Sequence, residues 1–234
     1  VTGVQTCALP ILPRLSAHVL DKELGEVRGL LASALRYVGI VTVPASLFFL
    51  FFGEKVAQAL FFGVSNESAI FIGRVLSAMA LGLIPLSINL VLIRGLNAFE
   101  NTKYQVISNL IINVVAVVLS LIAYSVLDSR DVTYGLALAF TVSYWFGIIA
   151  TYALTKRFTG ALELGKISYF YLKIGFASLL AVASVAFAVQ QLDPQGNVLT
   201  LLGVLISTSL IYILVARAMK IAEVGQTIKV LLRR

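Results

Sequence analysis

One cysteine, one histidine and 11 carboxylates in 234 residues leave little for active-site chemistry to draw on. A disulfide framework needs cysteines in pairs, and a metal centre needs His, Cys, Asp or Glu in a close cluster. The lone Cys7 and lone His18 supply neither. There is no nucleophile motif and no glycine-rich loop to cradle a phosphate, so the chain carries no sign of an enzyme and none of an ATP-driven pump, unless the ATPase is a separate subunit. Charge is scarce too, at 12% of residues against roughly 25% in soluble proteins.

What fills the chain instead is apolar: 59% of residues are hydrophobic and the mean hydropathy is +0.97. Six stretches hold no charged residue at all, over residues 37–53, 75–93, 104–127, 132–155, 174–192 and 194–216. A hydrocarbon core of roughly 30 Å takes about 20 residues of helix, and backbone groups inside it must bond to one another. The pattern predicts an all-α polytopic membrane protein with six transmembrane helices. No Asp or Glu lies inside any of these runs, which argues against a proton relay built on membrane carboxylates.

The net charge of +7 is not the footprint of a nucleic-acid binder, because in a membrane protein the placement of basic residues matters more than their sum. Fifteen of the 18 lie before the first run or after the second, fourth and sixth. The alternate connections hold only Lys55, Arg74 and Arg130. This division predicts that both termini of the segment are cytoplasmic, with residues 128–131 and 193–197 as tight outer turns. The outer link from Glu54 to Arg74 carries Val56-Ala-Gln-Ala-Leu-Phe-Phe, too short to span and apolar enough to lie as a separate surface helix. Residues 220–234 place Ile221, Val224, Ile228 and Leu231 or Leu232 at near-helical spacing among lysines, as a basic amphipathic helix at the cytoplasmic interface would.

Residues 1–11, Val-Thr-Gly-Val-Gln-Thr-Cys-Ala-Leu-Pro-Ile, have no basic n-region and no long apolar run, so they do not read as a signal peptide. They resemble a translated sequencing-adapter string, with a genuine helix end as the alternative. Beyond them, Leu12-Pro-Arg-Leu-Ser16, a charged link ending in Leu35-Arg36, and the Pro-containing span around Val43-Pro44-Ala45 resemble the MurJ/MviN lipid II flippase family. Leu60-Phe-Phe-Gly63, Ala80-Leu-Gly-Leu83, the stretch from Arg94 to Thr102, Asn109 with Asn113, and Gly135-Leu-Ala-Leu-Ala139 follow in the family's order. The likeness runs from about Leu12 to Leu192, with the last span following by topology. Asn97, Asn101-Thr102 and Gln105 depart from the family pattern.

The resemblance implies a multidrug/oligosaccharidyl-lipid/polysaccharide (MOP) superfamily flippase in the bacterial cytoplasmic membrane, moving a lipid-linked peptidoglycan precursor outward by alternating access. Such proteins have two six-helix lobes around a cavity, and this family adds two helices. The chain would then comprise the end of a preceding helix and a cytoplasmic link (12–36), four helices of the second lobe (37–155) and two further helices (156–219). Its partners would be the lipid-linked glycan, membrane lipids and a missing N-terminal lobe. The alternatives are a flippase for another polyprenyl-linked polysaccharide and a non-transporting membrane scaffold.

Individual residues each carry two readings. Arg36 and Arg94 could grip a lipid diphosphate, because Arg bonds phosphate bidentately, or could simply anchor the inner ends of their spans. Asn109 and Asn113 share one helix face at i, i+4 spacing and should meet protein or water. By resemblance they belong to a sodium site with Thr141; otherwise they make interhelical hydrogen bonds of about 0.6–2 kcal/mol. Sodium or the membrane potential would be the driving force, and no other cofactor is implied. Pro44 and Pro85 kink their spans, as hinges or as static bends, with Asn89 one turn beyond Pro85 as a candidate to satisfy the freed backbone. Asn89, Asn109, Asn113, Thr141 and Ser143 support a transport cavity only if they converge.

Overall fold

The computed structural model describes residues 15, 18, 19, 21, 23–61, 63–99, 102–192, 198–221 and 223–225. Among them are six long helices and no strand: α1 Leu24–Leu60, α2 Asn66–Asn97, α3 Thr102–Val126, α4 Val132–Thr159, α5 Leu164–Leu192 and α6 Val198–Ala218. All six are long and apolar enough to cross a membrane. The adapter-like segment, the turn at 193–197 and the end of the tail from residue 226 lie outside the described residues.

Local chemistry sets the helix ends. Ser65 caps α2 by accepting the Ser68 N–H at 3.3 Å, with Glu67 in the first turn and Arg94 in the last, where each complements the helix dipole. Gly160 ends α4 at φ +81°, a conformation costly for a residue with a Cβ. The α6 terminus is a Schellman turn: Ile221 N–H reaches Ala216 O at 3.1 Å and Lys220 N–H reaches Arg217 O at 2.9 Å. Lys220 takes the left-handed position at φ 54°.

Two expected boundaries give way. The first helix starts at Leu24, inside the segment assigned to a cytoplasmic link, because Val27, Leu31, Ala34 and Leu35 form an apolar face that buries against Leu92 and Leu162. Its other end runs unbroken to Leu60, so residues 56–60 are not part of a separate surface helix. Phe52 and Val56 pack in one cluster with Val182, Val185 and Val204, and the Glu54 carboxylate at the rim meets Arg74 at 3.6 Å. At 37 residues α1 is about 55 Å long and overreaches the hydrocarbon at its ends. The tail also departs from expectation: Ile221 and Val224 are buried in protein with Ile40, Phe170 and Ile174, not laid on the interface.

Apolar burial does not drive association where the solvent is itself hydrocarbon; close packing of small residues does. The α1–α2 crossing shows this. A Cβ on Gly53 would stand 2.8 Å from the Gly73 carbonyl oxygen, and one on Gly73 would stand 2.7 Å from the Glu54 backbone nitrogen. Around this seam α4 packs on α2 and α3 on α4, while α5 and α6 pack on α1 and on each other. The last two helices are therefore attached to the first, not set apart from the other four. Of α3, only Ser108 and Ile112 are buried.

Replacing Gly73 by Val should drive a side chain into the backbone at Gly53 and Glu54, force the two helices apart and cost about 1–3 kcal/mol of stability, the usual penalty of overpacking. Gly25→Ala, with nothing within 4 Å of the new Cβ, should change stability by less than about 1 kcal/mol. Unfolding midpoints in mixed detergent micelles measure both.

Candidate functional site: a lateral apolar slot and a buried polar chain

Pro44 cannot donate to the carbonyl one turn below it, that of Ile40. In this structure the Tyr212 hydroxyl on α6 donates to that oxygen at 3.0 Å. The Tyr171 hydroxyl on α5 likewise donates to Leu35 O at 2.9 Å, its ring lying so near Gly39 that a Cβ there would come within 2.9 Å. The proline site is thus a tether point for the last two helices. Pro85 is fully buried, and Asn89 does not serve the backbone it frees. Instead Asn89 Oδ1 accepts from Thr151 Oγ1 at 2.5 Å. The Thr151 oxygen is also hydrogen-bonded to Ser108 Oγ. With the Thr151 proton committed to Asn89, Ser108 is the donor of that second bond. A buried polar chain therefore joins α2, α4 and α3.

The other expected site residues fall elsewhere. Asn109 and Asn113 are exposed, on the face of α3 about 100° around from the buried Ser108 and Ile112. Thr141 is buried on the α2 side of α4, donating to Ala78 O at 2.8 Å, and Ser143 donates to Phe140 O in its own helix at 2.7 Å. The five polar residues do not converge, and Thr141 is not brought to the two asparagines. Arg94 is exposed at the end of α2. Arg36 is half-buried, and its Nη1 donates to Glu223 Oε1 at 3.2 Å.

A wide opening lies between α4 and α5. Residues 160–163 join them, yet among the described residues the backbones of the two helices do not pack on each other. The gap is a slot of about 930 Å³ whose floor is Leu35, Val43 and Leu47 of α1 with Ile84, Ile88 and Leu92 of α2. Trp145, Ile149 and Tyr152 form one wall, Tyr171, Leu172 and Leu179 the other. Among the described residues, Lys156 is the one charged group lining it. At the same end Lys166 donates to Glu163 at 2.7 Å and, with the positive charges of Arg36 and Arg28 beyond it, holds that carboxyl below its usual range. A smaller recess of about 600 Å³ at the opposite end is lined by Glu54, Arg74, Asp131 and Tyr134 among others. A slot with apolar walls and one cationic lip suits an amphiphile whose chain is apolar and whose head is anionic.

Sequence reasoning missed Thr151, Tyr171, Tyr212 and Glu223. Thr151 had a signal, since Thr151, Thr155 and Thr159 form an i, i+4, i+8 stripe, and all three are buried. The tyrosines had none, because their partners are backbone carbonyls more than 130 residues away, at separations of 136 and 172.

Comparison with known proteins gives a consistent answer. The family model described as lipid II flippase MurJ matches residues 4–206. The probable lipid II flippase MurJ of Treponema pallidum (strain Nichols) is 25% identical over 178 residues, which is 74% of this chain and 33% of that protein. A solved structure of lipid II flippase MurJ in an inward closed conformation superposes with a TM-score of 0.70 at 18% identity, over 93% of this chain and 43% of that one. The chain therefore spans a third to somewhat under half the length of these relatives.

Tyr212→Phe should orphan the Ile40 carbonyl and cost about 1–2 kcal/mol. In a Pro44→Ala background the restored N–H at position 44 satisfies that carbonyl, and the same change should cost little. A double-mutant cycle read by detergent unfolding gives the coupling; additivity would show that Tyr212 does not serve the proline site.

Proposed function

The chain belongs to the lipid II flippase MurJ family, and from that premise we propose that it forms the C-terminal part of a transporter that carries a lipid-linked peptidoglycan precursor across the cytoplasmic membrane. The α4–α5 slot is the observation that carries this reading. A flippase must move a polar headgroup through the protein while the lipid chain stays in an apolar medium. A slot floored by aliphatic side chains and open between two membrane helices offers such a path.

The basic end faces the cytoplasm in this reading, as the distribution of Lys and Arg favours. Lys156 then sits at the inner lip of the slot, where an anionic head arrives, and the recess at Glu54 and Arg74 opens on the outer side. The membrane spans hold no central Arg or Lys, so firm contacts to the substrate's diphosphate come from the part of the protein that precedes this chain, assisted at the inner rim by Arg94 and Lys156. The exposed Asn109–Asn113 face meets that same part, or water between the two parts, because two amides facing hydrocarbon are costly. Transport runs on an ion gradient or the membrane potential. If sodium takes part through Asn109 and Asn113, its remaining oxygen ligands come from outside this chain, since Thr141 is directed to α2.

Two outcomes test this. Gly175 lines the slot with nothing within 4 Å of a Cβ, so Gly175→Phe should narrow the slot without a clash and slow flipping about tenfold, equal to ~1.4 kcal/mol on the barrier. Gly203→Phe, equally unhindered on α6, should not. Unchanged flipping in Gly175→Phe would remove the slot from the path. Cells depleted of their own lipid II flippase should regrow with this chain joined to an N-terminal portion of the family, and should not with the 234 residues alone.

A further inference from the structure

Three contacts from the end of the chain converge on a short stretch of α1 just below Pro44. Tyr171 of α5 donates to Leu35 O at 2.9 Å, Glu223 accepts from Arg36 at 3.2 Å, and Tyr212 of α6 donates to Ile40 O at 3.0 Å. The first lies on the slot itself, because Leu35 and Tyr171 are both lining residues, and the second holds Arg36, the next residue of α1. The third takes up the carbonyl that the proline frees.

The segment carrying Glu223 is built to return to α1. The Schellman turn reverses the chain at Lys220, whose φ of 54° an L-residue adopts only when something holds it there. What holds it is visible: Ile221 is 5% exposed and Val224 2% exposed, in one cluster with Ile40, Val43 and Phe170. Glu223 lies between these two anchors in sequence. Its bond to Arg36 uses one guanidinium nitrogen, and the Arg36 Nε is buried with no partner among the described residues. A fork pairing would use both nitrogens. Arg36 thus gives Glu223 one charge-assisted bond and keeps a second, buried donor unspent.

We propose that Met219, Lys220 and Ile221 together with Glu223 and Val224 are a latch. Docked, they hold α1 below Pro44 against α5 and α6 and set the width of the slot. Released, that half of α1 turns about the proline and the slot changes width. Pro44 is well placed for this, since a helix lacking one backbone bond bends there most easily. This rests on the slot being the lipid path of the proposed function, and it makes the C-terminal segment the regulator of that path.

The test measures slot width in the resting protein, not transport, so it stands or falls apart from the substrate reading. Spin labels at Ala153 and Leu172, lining residues on α4 and α5, report the separation by pulsed electron resonance in bilayers, with Cys7 replaced by Ser. Glu223→Gln and Arg36→Gln should each shift the mean distance by more than the width of the unsubstituted distribution. The exchanged pair, Arg36→Glu with Glu223→Arg, should restore the original distance, whereas Arg36→Glu alone should not. Identical distributions in all variants would overturn the latch. So would a shift that the exchanged pair fails to reverse, because Arg36 would then be acting through some other contact.

Discussion

Inside hydrocarbon, a backbone carbonyl that has lost its helical partner has no water to turn to. That constraint acts on α1 at Pro44 and explains much of what surrounds it. The Ile40 oxygen needs a donor, and the Tyr212 hydroxyl supplies one from the last helix. Once Tyr212 is fixed, α6 has to lie along α1, with Ala216 and Ile221 in the seam beside Ile40 and Val43. An element more than 150 residues distant in sequence, at a separation of 172, is located by one proline. Tyr171 adds a second bond of this kind to the Leu35 carbonyl, which no proline has freed, and fixes α5 against the same helix.

The remaining helices are held by a different device. Where α1 meets α2, glycine faces backbone, and where α4 meets α3 a Cβ on Gly147 would come within 2.6 Å of the Ile112 side chain. Such approaches maximise contact between atoms that water does not push together. The chain Asn89–Thr151–Ser108 adds direction to this, since three buried hydroxyl and amide groups can be satisfied together in only one rotational setting of their helices. Thr155 and Thr159, buried on the same stripe, donate to carbonyls one turn back in their own helix. They are polar in composition and inert toward their neighbours, and only coordinates separate them from Thr151.

The count of helices, their membrane character and their family were legible in the sequence, because charge-free runs and alternating basic loops are local features. Helix ends were less so. At Leu24 and at Leu60 an apolar face continued through charged residues, and charge alone could not report that Val27 and Val56 had partners on other helices. The site was the least legible part. Asn109 and Asn113 stood out for being polar, yet Ser108, their smaller neighbour, is the one that is buried. Arg36 was legible as a cation near a membrane boundary, but not as the partner of Glu223, which sits 187 residues away in a segment that read as an interfacial helix. Long-range pairs leave no periodic trace in a single chain.

The missing backbone packing between α4 and α5 has a mechanical meaning as well as a geometric one. The α3–α4 pair hangs mainly from α2, and the α5–α6 pair hangs from α1. The molecule is then two blades on one spine. That spine runs from Leu31 against Gly95 to Gly53 against Gly73, and Ser46 and Ser77 bond across it to the Ala80 and Phe49 carbonyls, so it resists both separation and rotation. A blade can move toward the other only where the spine itself yields, and Pro44 is the one place along α1 where a helical backbone bond is missing by covalent structure.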